Sequence, residues 1–221
     1  MILLPTKIVF QPHHYELQYD PSTHTYRLRS GEVLSSVTGI LKAEGIQQYG
    51  PRNSAADFAM QVGTWVHQAV EWFEKGTLDE GTLSEGIALY LESYKQFRAL
   101  TGFRPFLDLI EVPMWQPQWR FSGTPDLPGM IGNRFVLADL KTGEKRAGDT
   151  VQIAAYGELV MSSVVGFDRV YPEGKVIYLQ EDGSQAKVEN VSADQMFKNK
   201  SVFISALQVN RWKAANGVNR E

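Results

Sequence analysis

"FSGTPDLPGMIGNRFVLADLKTG", residues 121–143, combines short runs of β-forming residues with a turn at Ile131-Gly132-Asn133. It reads as a hairpin whose second strand is RFVLADL. Two carboxylates and a lysine sit inside this otherwise apolar stretch: Asp126 after a Gly-Thr-Pro turn, then Asp139 and Lys141 two apart. Side chains alternate along a strand, so Asp139 and Lys141 leave the same face and their charged ends converge. Burying either charge alone costs several kcal/mol, so the strand must end in a polar cleft or carry an ion pair. Asp126, one short hairpin upstream, brings a second carboxylate beside Asp139. With a strand carbonyl such as that of Leu140, the two carboxylates make an oxygen site suited to Mg²⁺ or Mn²⁺. A lysine beside such a site can orient a water or stabilise charge developing on phosphorus. Pro125 and Pro128 imply that the first strand is bent or at an edge.

Outward from this hairpin the periodicity changes. LDLIEVPMW and QWRFSGT read as further strands, so the middle of the chain is a sheet. Upstream, Tyr15, Leu17 and Tyr19, then Tyr26 and Leu28, alternate with polar residues on either side of Asp20-Pro21-Ser22, which predicts a small hairpin. Ser36 caps a short helix closed by Gly45, and a second helix over 53–75 carries Val62, Val66, Ala69 and Phe73 before Gly76. A third is expected over Ser84 to Leu100. Downstream, helical spacing returns from Asp149 to Val165, with Asp149 or Thr150 as the N-cap. KVIYLQEDGSQAKVENV then reads as a hairpin turning at Asp182-Gly183, and a last helix runs from Ala193 to Ala215. The expected architecture is α/β, a small mixed sheet flanked by helices.

The chain has 221 residues, 43% of them hydrophobic, enough for one core. One domain is expected over 1–221, with residues 1–50 as an N-terminal hairpin and helix extension and 51–221 as the main body. Zero cysteines exclude disulfides, thiolate zinc sites, iron–sulfur clusters and cysteine nucleophiles, so any metal must be held by oxygen or histidine. A net charge of −3 argues against broad electrostatic coating of a polyanion. The start does not read as a signal peptide and no apolar run is of membrane-spanning length, so a cytoplasmic protein without membrane partners is expected.

Two helical patterns hold further candidates. In GTWVHQAVE, residues 63–71, His67, Glu71 and Glu74 share one stripe, and Gly63 leaves that face open a turn earlier. A lone helical histidine is commonly a surface or satisfied core residue, and the two glutamates read as solvated charges. In VQIAAYGEL, residues 151–159, Gln152 and Tyr156 are one turn apart and can bond a phosphate or base and hold Lys141, although Tyr156 also fits a core.

The order G-x-x-x-H, G-T-P-D, A-D-L-K-T-G, Q-I-A-A-Y resembles the PD-(D/E)XK nuclease superfamily, in its RecB-like exonuclease branch. SSVTGIL is similar to a Ser-Val-Thr segment of phage nucleases and of the mitochondrial genome maintenance exonuclease. The resemblance spans Gly63 to Tyr156 and implies a restriction-endonuclease-like core. It makes Asp126 and Asp139, with the Leu140 carbonyl, metal ligands, has His67 complete the metal shell, and makes Lys141 the catalytic lysine. Gln152 and Tyr156 become the auxiliary pair that orients substrate and lysine, while Thr124 and Thr142 contact phosphate. Lacking cysteine, the chain falls in the cluster-free subset. The activity implied by the resemblance is Mg²⁺- or Mn²⁺-dependent hydrolysis of DNA, from strand ends, in replication, repair or recombination in a bacterial or phage-infected cell, with a replication or recombination protein as a further partner. An endonuclease of the same superfamily, an inactive nucleic-acid-binding scaffold and an enzyme for a small phosphorylated substrate are the alternatives. Lys145, Arg146, Arg104 and Arg120 are candidates for a basic lining, or else scattered solvated charge. Trp65, Trp72, Trp115, Trp119 and Tyr49 either stack on bases or belong to the core.

Overall fold

The computed structural model describes residues 8–48, 50, 53–167 and 171–218. Strand β8 (Arg134–Lys141) is its organising element, because six consecutive residues from Phe135 to Leu140 are buried. It forms antiparallel pairs with β7 (Leu127–Ile131) and parallel pairs with β9 (Glu173–Tyr178). A parallel pair needs a crossover, supplied by helix α4 (Asp149–Ser163). With β10 (Lys187–Val191) and β4 (Phe103–Pro105) at its edges, this sheet has the order β10-β9-β8-β7-β4.

Successive residues of β8 serve two different cores. Phe135 and Leu137 pack with α4, with α1 (Val37–Ala43) and with α5 (Ala193–Ala215), in a cluster that includes Ile40, Ile153 and Phe203. Val136, Ala138 and Leu140 pack with α2 (Ser54–Glu74) and α3 (Glu85–Thr101), against Val66 and Tyr94. Alternation therefore turns Asp139 toward α4.

A second sheet runs β1 (Leu17–Asp20), β2 (Thr25–Leu28), β3 (Val33–Ser36), β6 (Phe121–Gly123), β5 (Met114–Gln116). The protein is thus mixed α/β with two mixed sheets flanked by helices, where the sequence suggested one small sheet. The division falls at Thr124-Pro125: proline has no N–H for a ladder, and the chain leaves β6 at Gly123 before entering β7 at Leu127. The predicted N-terminal hairpin is β1–β2, and β3 joins β6 in parallel register through Ser35 and Ser36. Val37, Ile40 and Leu41 of α1 are buried in the core around α4. Residues of the N-terminal portion thereby build part of the same core.

The predicted helices over 53–75, 84–100 and 193–215 form, with Asn53 and Ser192 as side-chain N-caps. Two local expectations change. LDLIEVPMW is not one strand: Leu107–Leu109 is a 3-10 turn, Glu111 has a left-handed φ of 53°, and β5 begins only at Met114, after Pro113. Asp149 is not the N-cap of α4. Gly148 holds that position, and Asp149 is the first helical residue, its buried carboxylate accepting from Arg146 N–H, Gln47 Nε2 at 2.7 Å and the Tyr178 hydroxyl at 2.9 Å. No helix among the described residues is long and apolar enough to cross a membrane.

Candidate metal centre

Asp126 lies in the bend between β6 and β7, one position before Leu127, which pairs with Ala138. Its Oδ2 accepts the Leu140 N–H at 2.7 Å, which ties the bend to the end of β8. From the other side of the sheet α2 brings His67. Its Nε2 lies 3.2 Å from the Leu140 carbonyl and its Nδ1 lies 2.8 Å from Glu111 Oε1 and 3.7 Å from Asp126 Oδ2. Ligand atoms of His67, Glu111 and Asp126 all fall within 4.8 Å of one another, so this cluster has the spacing and donor set to hold a metal ion. His67 and Glu111 are about a quarter exposed, which leaves the cluster accessible.

Glu111 was not among the sequence candidates. It sits in a left-handed conformation, uncommon for a residue with a Cβ, and its N–H donates to the Asp126 carbonyl at 3.0 Å. The available signal was an acid inside the apolar run LDLIEVPMW, the same reasoning that singled out Asp139.

Asp139 meets Lys141 on one face of β8, as the strand alternation predicts. It is fully buried and its Oδ2 lies 2.6 Å from Lys141 Nζ, so its closest partner is the lysine, and it is not part of the three-residue cluster. Gln152 Nε2 reaches Asp139 Oδ1 at 3.4 Å and the Tyr156 hydroxyl at 3.2 Å, so the pair expected from helical spacing does meet this strand. The Thr124 Oγ1 shares a 2.8 Å hydrogen bond with the Tyr26 hydroxyl, and the Thr142 carbonyl accepts from Tyr90 at 3.4 Å.

No model of a protein family and no curated protein matches the chain.

The geometry sets the charges. Burial is the largest effect on both aspartates and raises them, Asp126 to about 6 and Asp139 to about 7, with His67 and Lys141 respectively opposing it. Burial pulls His67 down, but Asp126 and Glu111 together outweigh it and lift the imidazole to about 10. Lys141 is likewise desolvated, and Asp139 and Asp126 more than compensate, so it remains an ammonium. Burial and both aspartates hold the Tyr156 phenol well above its ordinary value.

These charges make the protein without divalent ions sensitive to pH. The carboxylates bind protons more tightly folded than unfolded, so stability falls as pH rises from about 4 through 7. The stabilisation from His67 is complete below its unfolded value of 6.5 and is lost as pH rises through about 10. Both contributions have the same sign. Urea midpoints in EDTA are expected to fall from pH 5 to pH 9, and a midpoint that rises over this range would contradict the assigned charges.

Of two glycines near the site, Gly123 is closely hemmed in and Gly63 has ordinary room. A Cβ at Gly123 would lie 2.9 Å from Tyr156 Cε1 and 3.0 Å from Leu159 Cδ1, and one at Gly63 would lie 3.4 Å from Thr142 Oγ1. Gly123→Ala is expected to cost about 1–3 kcal/mol by displacing the Tyr156 ring, measured by urea unfolding. Unchanged stability would show that the ring has room to move.

Other candidates stand elsewhere. Arg104 is on β4, its guanidinium 3.5 Å from the Gly132 carbonyl at the far hairpin turn. Arg120 pairs with Glu32, and Lys145 with Glu189 at 2.7 Å. Trp115 is buried and bonds the His13 carbonyl, Trp119 packs against the α4 core, and Trp65 and Trp72 are exposed on α2. Tyr49 lies outside the described residues. Glu71 pairs with Lys75, whereas Glu74 is not a solvated charge: its side chain is buried between Arg98 at 2.8 Å and the Tyr94 hydroxyl at 2.7 Å.

Proposed function

We propose that the protein is a divalent-metal-dependent deoxyribonuclease that hydrolyses phosphodiester bonds from strand ends, with Mg²⁺ or Mn²⁺ as its ion, in DNA replication, repair or recombination. The observation that carries this reading is the convergence of His67, Glu111 and Asp126 beside the ion pair of Lys141 with the buried Asp139.

The donor set fits such an ion. Two carboxylates and one imidazole, with the Leu140 carbonyl at hand, are hard ligands, and the chain has no thiolate to favour a softer metal. Both aspartates are buried against their preference for water, a condition that a bound cation relieves. When bound, the ion supplies an activated water and neutralises negative charge on phosphate. His67, Glu111 and Asp126 would hold it. Lys141, kept protonated by Asp139, presents an ammonium to a phosphoryl oxygen, and Gln152 restrains that pair through Asp139. The buried Tyr156 hydroxyl accepts from Gln152 and so helps to fix that side chain. The G-x-x-x-H, G-T-P-D, D-L-K and Q-I-A-A-Y series in the sequence supports the same reaction class.

End-labelled single-stranded and double-stranded DNA and circular DNA, each with Mg²⁺, Mn²⁺ or EDTA, test the proposal, with Lys141→Ala run in parallel. Loss of linear but not circular DNA, only with metal and only in wild type, is expected. Cutting of circles would replace the exonuclease reading with an endonuclease, and no cutting of any substrate would overturn the nuclease assignment.

A further inference from the structure

Tyr19 and Tyr26 are register partners across the β1–β2 hairpin, and their rings stack with centroids 4.6 Å apart at 30°. Tyr26 is buried, and its hydroxyl is bonded to Thr124 Oγ1, two residues before Asp126. The link is also a backbone one: β2 pairs with β3, β3 with β6, and β6 runs directly into the Asp126 bend. The Glu111 carboxylate lies near enough to act electrostatically on both phenols. An aromatic column therefore begins at the metal-ligand loop and ends at Tyr19, which is only half-buried.

The Tyr19 ring is held in place. One face rests on Tyr26, and the hydroxyl lies 3.0 Å from His24 Nδ1, His24 itself being set by a left-handed φ of 50° in the turn. A ring ordered in advance loses little entropy on binding a flat ligand. Cross-strand aromatic pairing accounts for the contact between the two tyrosines. It does not account for a column built onto the Asp126 bend with its outer ring left partly exposed.

We propose that Tyr19 is a stacking subsite for one unpaired nucleobase next to the phosphate held at the metal centre, so that the β1–β2 hairpin favours single-stranded ends. This rests on the nuclease reading above and adds its substrate class. Base-on-aromatic stacking is worth a factor of about ten in affinity.

Steady-state cleavage of single-stranded oligonucleotides by wild type, Tyr19→Phe, Tyr19→Leu and Tyr19→Ala tests it, together with oligonucleotides carrying one abasic position moved stepwise from the end. Tyr19→Leu and Tyr19→Ala are expected to raise KM about tenfold with kcat little changed, and Tyr19→Phe to stay near wild type. One abasic position is expected to raise KM in wild type and not in Tyr19→Leu. Equal KM in wild type and Tyr19→Leu, or a Tyr19→Phe defect as large as that of Tyr19→Ala, would overturn the subsite while leaving the nuclease reading intact. Wild type that neither binds nor cleaves any oligonucleotide would overturn both.

Discussion

Asp139→Ala is expected to destabilise the fold by about 3 kcal/mol and to lower DNA cleavage by a hundredfold or more, whereas Asp139→Ala with Lys141→Met is expected to recover most of the stability and none of the activity. Asp139 is fully buried and its nearest charge is Lys141 Nζ at 2.6 Å, so removing the carboxylate leaves an ammonium whose side chain is only 19% exposed. Breaking a buried pair from one side is costly, while replacing both partners with apolar groups of similar volume is often neutral. Lys141→Met alone is expected to cost less than Asp139→Ala, because the orphaned carboxyl, already raised to about 7, takes up a proton. Urea unfolding of the four proteins gives the stability cycle, and initial cleavage rates give the activity cycle. A double variant that cleaves DNA would remove the pair from the chemistry. A double variant no more stable than Asp139→Ala would show that the lysine is satisfied by water.

Glu111→Gln is expected to abolish stabilisation by divalent ions and to reduce cleavage by about a hundredfold or more. A ligand that binds only the folded state adds about 2.7 kcal/mol at a hundred times its Kd, which for a domain of this size raises Tm by roughly 5–10 °C. Three ligand atoms within 4.8 Å give the ion its place, and Glu111 contributes one of the two carboxylates. In EDTA the same substitution is expected to lower Tm modestly, since a glutamine oxygen still accepts the hydrogen bond from His67 Nδ1 but no longer supplies the charge that helps keep the imidazole protonated. Thermal melts with Mn²⁺, Mg²⁺ and EDTA separate these effects. An unaltered metal response in Glu111→Gln would remove this residue from the ligand set, and the same melts on Asp126→Asn would then show whether the remaining pair binds an ion.

Much of the site was legible because it obeys local periodicity. Asp139 and Lys141 share a strand face at i, i+2, and Gln152 and Tyr156 share a helix face at i, i+4, so each pair meets whatever the surroundings. Long helices were legible for the same reason, while the caps at Asn53, Ser192 and Gly102 emerged with the structure. Local pattern misplaced Asp149, because its carboxylate serves Gln47 and Tyr178 from distant elements instead of closing its own helix. It also misread Glu74, whose burial depends on α3 packing over α2.

By itself the sequence determined an α/β chain with its principal helices, a β-hairpin ending in D-L-K, a ligand chemistry restricted to oxygen and nitrogen, and the within-element pairs around Lys141. Only the tertiary structure decided that the strands divide into two sheets, that Glu111 comes together with His67 and Asp126, and that the N-terminal hairpin reaches the Asp126 bend through Tyr26. Side-chain direction along a helix or strand follows from a fixed period, and composition fixes the available donors. The position of Glu111 depends on a left-handed backbone and on contacts 44 residues away in α2, which no local period encodes.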